Sequence, residues 1–128
     1  MSYFVVWIDR NEARIFSFHR DSVGESTIHS MRDNHPHRHP KDGLTRTHDH
    51  PDDDVRFFRD VGAALTGQGN ILVVGPGVAK LLFLRHIQKH DPALEQRVAG
   101  IETVDHPTDR QIVAYARHYF ELGPMSAR

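Results

Sequence analysis

Three segments rich in β-branched and aromatic residues open the chain and predict three strands. They cover residues 3–9 (YFVVWID), 13–18 (ARIFSF) and 25–31 (ESTIHSM). Such residues favour strands, and the second segment also alternates between apolar and polar positions as a half-buried strand does. Because only short polar breaks separate the segments, tight turns can join them into an antiparallel meander.

The chain after residue 53 predicts helices alternating with strands. The predicted elements are a helix from 52–54 to about 66, a wholly apolar strand at 70–75, a helix from 76 to about 90, a short helical turn at 93–97, a strand at 98–104 and a last helix from 108 to 122. Thr108 and Gln111 have the spacing of a capping box, which marks where the last helix begins. The order β-β-β-α-β-α-β-α predicts an α/β fold with a mixed five-stranded sheet and helices packed on it, as in ribonuclease-H-like folds.

Residues 32–53, here called the histidine-rich segment, break the apolar pattern. Leu44 is their only aliphatic residue among histidines, prolines and charges. A connection this long without structure is unusual in a small domain and is usually functional or disordered. We therefore expect a single domain over 1–122 with a long loop at 32–53, followed by a flexible tail at 123–128.

Charge and composition narrow the functional classes. The 128 residues carry a formal net charge of -1 with histidine neutral, so binding to a polyanion would depend on local charge. The chain has no cysteine, which excludes disulfides and thiolate metal sites. Its first residues lack the basic region of a signal peptide, and no apolar run is long enough to cross a bilayer. We expect a cytoplasmic protein.

The histidines of the segment are one candidate for chemistry. They are His35, His37, His39, His48 and His50. In an extended backbone alternate side chains point the same way, so the first three could bind zinc or another transition metal through nitrogen. The alternative is a solvated loop that holds no physiological metal.

The basic residues of the same segment are a second candidate. They are Arg32, Arg38, Lys41 and Arg46, and together with the histidines they could contact phosphates and stack on unpaired bases. Arg10, Arg14 and Lys80 could assist from outside the segment. Nearby aspartates oppose a polyanion, and a solvated loop of mixed charge is an equal alternative.

Catalysis has weaker support. Asp9 ends the first strand where a ribonuclease-H-type acid would lie, but Glu102 and Asp105 do not complete an obvious set for two metal ions. Asp9 is better explained by a turn or an ion pair. No serine lies in a Gly-x-Ser-x-Gly elbow. We predict no catalytic residue; a hydrolase using histidines and aspartates of the segment ranks last among the hypotheses.

Three stretches carry a resemblance to a known family. They are VVWIDRNEARIF (5–16), ILVVGPGVAKLLFL (71–84) and VAGIETVDHPTDRQIV (98–113). They resemble the middle domain of archaeal and eukaryotic class 1 peptide-chain release factors and of Pelota, and the Gly-Pro-Gly turn is the most specific part. The chain also resembles small bacterial proteins loosely called translational machinery proteins. The resemblance implies a ribonuclease-H-like fold and a role in translation.

The family's hydrolytic motif is missing. Release factors present a Gly-Gly-Gln tripeptide in the loop that corresponds to residues 34–54, and this sequence has none there. Pelota also lacks the tripeptide. The leading prediction is therefore a non-hydrolytic, ribosome- or RNA-associated accessory protein that docks through residues 32–50. A metal-binding protein is the alternative, and the oligomeric state stays open.

Overall fold

A computed structural model describes residues 2–19, 22–30 and 51–122, with the side chains of the last range described from residue 54 onward. The strands are β1 (Ser2–Ile8), β2 (Glu12–His19), β3 (Ser22–His29), β4 (Asn70–Gly75) and β5 (Val98–Thr103). The helices are α1 (Pro51–Ala63), α2 (Ala79–His90), α3 (Pro92–Glu95) and α4 (Asp109–Tyr119). This order confirms the predicted fold class.

One mixed sheet holds all five strands in the order β3-β2-β1-β4-β5. β1 pairs antiparallel with β2, and β2 with β3, whereas β1–β4 and β4–β5 are parallel. The meander therefore forms one half of the sheet and the helical crossovers build the other half. β4 is buried at every position after Asn70, as its wholly apolar sequence predicts for a strand covered on both faces.

Helices cover both faces of the sheet, so β1 contributes to two cores. Phe4, Val6 and Ile8 pack with α1, α2 and α3 on one face. Val5 and Trp7 pack with α4 on the other. The strand period of two explains this division, since successive side chains point to opposite faces. The outcome is a three-layer arrangement with the sheet in the middle.

Most element boundaries differ from the sequence-based expectation by a few residues; α2, for example, begins at Ala79 and not at Pro76. Three further differences have a local cause. β3 begins at Ser22, earlier than predicted, because the register with β2 continues to the pair His19 and Ser22. α1 already begins at Pro51, and proline suits the first position of a helix. α4 ends at Tyr119, ahead of Gly123, because Glu121 adopts a φ of 59° and the amide of Leu122 returns to the carbonyl of Arg117.

Residues 31–50 and 123–128 lie outside the described residues, and so do the predictions of a long loop and a flexible tail. None of the helices in the described part is long and apolar enough to cross a membrane.

Candidate functional site at the carboxyl edge of the sheet

The carboxyl ends of β1, β4 and β5 meet at one edge of the sheet. Asp9 follows β1, Pro76 and Gly77 follow β4, and Asp105 and His106 follow β5. In open α/β sheets, ligands bind in the crevice outside the carboxyl ends of parallel strands. This edge is therefore the expected place for a binding site in this fold.

Asp9 forms the turn between β1 and β2. Its Oδ1 accepts hydrogen bonds from the amides of Asn11 (2.8 Å) and Glu12 (2.9 Å), and its own amide donates to the carbonyl of Glu12 at 3.0 Å. The explanation of Asp9 by a turn is confirmed. This geometry gives the carboxylate a local structural role and leaves its Oδ2 facing the end of β5.

His106 lies between two carboxylates at the end of β5. Its Nδ1 is 3.1 Å from Oδ1 of Asp105, and its Nε2 is 3.9 Å from Oδ2 of Asp9. The ring also packs 5.4 Å from the ring of Trp7, whose indole N–H donates to the carbonyl of Asp105 at 2.8 Å. Because 65 % of the His106 side chain is exposed, the imidazole can meet a ligand while Trp7 and the carboxylates hold it in place.

Arg14 links this edge to the first turn of α4. Its Nη1 is 2.6 Å from Oδ1 of Asp109, and its Nε is 3.5 Å from the carboxylate of Glu12. The guanidinium lies 4.5 Å from the Trp7 ring centre, within the range of a cation–π interaction. Only 18 % of the side chain is exposed. Arg14 therefore ties together β1, β2 and α4.

β3 ends and α1 begins at this same edge of the sheet. The amide of Ser30, which follows β3, donates to the carbonyl of Asn11 in the β1–β2 turn at 2.8 Å. Glu12 also lies 3.9 Å from His29 at the end of β3. α1 begins at Pro51 and leads back to the start of β4, so its first turn belongs to the carboxyl edge as well.

The predicted RNA-binding residues fall into three groups. Arg10 is exposed in the turn after β1. Arg14 is held by Asp109, and Lys80 is only 6 % exposed and donates to the carbonyl of Gly77. The remaining predicted residues lie outside the described residues: Arg32, His35, His37, Arg38, His39, Lys41, Arg46, His48 and His50. Arg10 and Arg14 thus lie at the same edge of the sheet. The charges of Arg14 and Lys80 already interact with Asp109 and with the carbonyl of Gly77.

The Gly75-Pro76-Gly77 turn serves close packing between strands. A Cβ on Gly75 would overlap the backbone carbonyl of Ile8 on the neighbouring strand. This position therefore requires glycine, whereas Gly77 has open space around it. The first glycine of the motif is explained by the approach of β4 to β1.

One histidine pair was missed in the sequence. His86 and His90 lie four positions apart on α2, with ring centroids 4.6 Å apart. The spacing His-x-x-x-His in a predicted helix is the signal that identifies such a pair, because residues four apart share a helix face. Across the described residues, no group of three or more histidine, aspartate or glutamate side chains could hold a metal ion.

Comparisons with known proteins give structural relatives only. No family model matches the sequence, and no curated protein matches it. Among solved structures, Pelota of Thermoplasma acidophilum aligns with a TM-score of 0.64 at 22% identity over 92% of this chain. Pelota of Archaeoglobus fulgidus gives 0.58 at 18% identity over 91%, and an archaeal translation termination factor gives 0.54 at 15% over 94%.

These likenesses define the fold. The described chain has the fold of a domain found in Pelota and in the archaeal termination factor, as its three sequence stretches predict. It spans 32% and 31% of the two Pelota chains and 40% of the termination factor. None of the comparisons tests the resemblance to small bacterial proteins, which stays a prediction.

Proposed function

We propose that this protein is an accessory factor of translation that binds the ribosome through residues 32–50 and the adjoining carboxyl edge of the sheet. The observation that carries the proposal is the structural likeness to Pelota and to a translation termination factor, which extends over more than nine-tenths of the chain. The partner is ribosomal RNA in this proposal, and the protein acts as a binder without hydrolysing peptidyl-tRNA.

The described residues on either side of 32–50 support the proposal. Ser30 precedes and Pro51 follows the proposed docking residues 32–50, and both belong to the carboxyl edge, where His106 and Arg10 are exposed. An RNA that contacts the segment would therefore also meet this edge. Imidazole and guanidinium groups can bind phosphate oxygens and stack on bases, so the residue types present suit this ligand.

The absence of a Gly-Gly-Gln tripeptide from residues 34–54 supports binding without hydrolysis. The resemblance to release factors assigns that tripeptide to this part of the domain. Without it, we expect the protein to occupy a ribosomal site while leaving the peptidyl-tRNA ester intact. Incubation with ribosomes that carry peptidyl-tRNA should release no peptide above the spontaneous rate.

Co-sedimentation with ribosomes tests the binding. If four basic side chains contact phosphates, affinity should fall by about 50-fold between 50 mM and 200 mM salt, from a slope of about -0.7 per phosphate contact. Binding should strengthen as the pH falls through about 6.5, where histidines gain charge. Failure to pellet with ribosomes at low salt, across pH 6 to 8, would remove the proposal.

Charge-matched variants locate the interface. Arg38→Gln/Lys41→Gln removes two positive charges from the segment, and Arg85→Gln/Lys89→Gln removes two from the exposed part of α2. The first variant should bind ribosomes at least ten-fold more weakly, while the second binds like the natural sequence. Equal losses in the two variants would mean that net charge, and not the segment, determines binding.

Metal binding by the five histidines of the segment is kept as a separate, untested proposal. The ribosome experiment, repeated with a chelator, tests whether such a metal is needed for docking. Binding that persists with EDTA, at constant magnesium activity, excludes a requirement for a transition metal in docking.

A further inference from the structure

Two histidines form a pair on the exposed side of α2, away from the candidate site. His86 is partly buried and His90 is exposed, and their rings lie 4.6 Å apart at an angle of 38°. The i and i+4 positions of a helix share one face, so the backbone itself brings the two imidazoles together. Neither ring forms a hydrogen bond with another described residue.

The separation of the rings fits two imidazoles that share one metal ion. With a metal–nitrogen distance of about 2.1 Å, each ring centre lies about 3.2 Å from the ion, which puts ring centres about 4.6 to 5.3 Å apart for angles of about 90 to 110° at the metal. The observed 4.6 Å falls at the lower end of this range.

Packing holds one ligand of the pair in place. The ring of Phe58 on α1 lies 5.7 Å from the ring of His86 and contacts the Phe83 ring at 5.9 Å. His86 is therefore supported from a neighbouring helix, which reduces the entropy lost when a metal binds. Asp91, which immediately follows α2, adds a negative charge near the pair, whereas Arg59 adds a positive one.

We infer that His86 and His90 form a two-histidine site for a divalent transition-metal ion, with water in the remaining coordination positions. Imidazole nitrogen selects Cu²⁺, Ni²⁺ and Zn²⁺ over Mg²⁺ and Ca²⁺, which prefer oxygen ligands. We expect affinity to follow Cu²⁺ above Ni²⁺ and Zn²⁺, with no binding of Mg²⁺. Its two ligands are not among the histidines at 35–50, and the inference does not depend on the proposed ribosome binding.

The experiment must separate this site from the other histidines. A full-length background in which His35, His37, His39, His48 and His50 are all changed to glutamine serves for calorimetric titration with Zn²⁺. We expect about one equivalent bound in this background, and at least a ten-fold loss of affinity when His90→Gln is added. Circular dichroism confirms that each variant folds.

A matched variant keeps two histidines on the helix but moves one. In Gln88→His/His90→Gln the pair has i and i+2 spacing, and such positions do not face each other on a helix. This variant should lose affinity as His90→Gln does. Unchanged Zn²⁺ affinity in either variant, or no binding in the background itself, would overturn the inference.

The natural sequence provides a second readout. In long-range ¹H–¹⁵N spectra, added Zn²⁺ should shift the ring nitrogens of His86 and His90 together, while His118 on α4 stays unchanged. If only the histidines of the segment respond, the pair on α2 is not a metal site.

Discussion

The contact between Arg14 and Asp109 gives a quantitative test of what Arg14 does. Arg14 is predicted from the sequence to bind RNA, yet in the structure its Nη1 lies 2.6 Å from Oδ1 of Asp109 and its guanidinium 4.5 Å from the centre of the Trp7 ring. Arg14→Met keeps most of the apolar volume and removes the charge. Asp109→Asn removes the opposite charge with almost no change in shape. The two changes and their combination form a double-mutant cycle.

The structure sets the size of each effect. An exposed ion pair contributes about 0.2 to 1 kcal/mol, and a value near the upper end is expected here because Arg14 is mostly shielded while Asp109 is about half exposed. The cation–π contact with Trp7 adds about 0.5 to 1 kcal/mol. We therefore expect Arg14→Met to lower the free energy of unfolding by about 1 to 2 kcal/mol. The coupling energy between Arg14 and Asp109 should be about 0.5 to 1 kcal/mol.

Urea denaturation followed by tryptophan fluorescence measures the cycle, because Trp7 is the only tryptophan and lies under Arg14. Raising the salt concentration should reduce the coupling, since the pair is partly exposed. If the stability lost in the double variant equals the sum of the losses in the two single variants, with a coupling energy below about 0.3 kcal/mol, the ion pair does not stabilise the fold.

Ribosome binding then separates the structural from the functional role. If Arg14 acts through its contacts with Trp7 and Asp109, both single variants should bind ribosomes alike at temperatures where they are folded. If it instead contacts phosphate, only Arg14→Met weakens binding, and Asp109→Asn leaves it unchanged or strengthens it.

Two further predictions concern α2 and the start of β5. Arg97→Met should lower the free energy of unfolding by about 2 to 4 kcal/mol, because its Nε and Nη1 donate to two backbone carbonyls at 2.8 and 2.6 Å that would lose their partners; urea denaturation measures this. Burial lowers the pKa of His86, and the charges of His90 and Arg59 lower it further, although Asp91 opposes the shift. In NMR titrations with a chelator present, the His86 ring should therefore titrate at a lower pH than an ordinary histidine. As the pH falls below about 6.5, the His86 imidazole therefore takes up a proton in the unfolded chain before it does so in the folded protein. The free energy of unfolding should fall over this range, until the pH reaches the pKa of His86 in the folded protein.

One control variant and one test variant check these two predictions. Arg85→Met removes a charge from the exposed side of α2 and should change stability by less than about 0.5 kcal/mol. A similar small loss for Arg97→Met would contradict a role in satisfying the two carbonyls. His86→Gln should reduce the loss of stability between pH 7.5 and 5.5, and an unchanged pH dependence would show that His86 does not contribute to it.

Features set by neighbouring residues could be predicted from the sequence. The side chain of Thr108 accepts from the amide of Gln111 at 3.1 Å, and the Gln111 side chain accepts from the amide of Thr108 at 2.8 Å. This capping box confirms the start of α4. β4 also lies at 70–75 as its apolar run predicts. In both cases a few adjacent side chains determine the backbone, so local chemistry is sufficient.

Features that depend on contacts distant in sequence could not be predicted. Arg14 and Asp109 are separated by 95 positions in the sequence, and Trp7 and Asp105 by 98. These residues meet only because β1 and β5 lie on either side of β4 and end at the same edge of the sheet. From the sequence alone, Arg14 is expected to be a cation available for binding, because its ion pair with Asp109 depends on the order of the strands. The pair His86 and His90 is the opposite case, since its helical spacing is visible in the sequence.

This difference determines which residues should be changed to test function. A basic residue on an ordered strand has neighbours that compete for its charge, as Asp109 does for Arg14 and the Gly77 carbonyl does for Lys80. Neutralising Arg14 or Lys80 therefore changes stability, and a loss of ribosome binding in such a variant would not by itself show a contact with RNA. Exposed Arg10, in the turn beside Asp9, offers a cleaner test of the carboxyl edge. Arg10→Gln should weaken ribosome binding with little effect on unfolding if that edge adjoins the RNA.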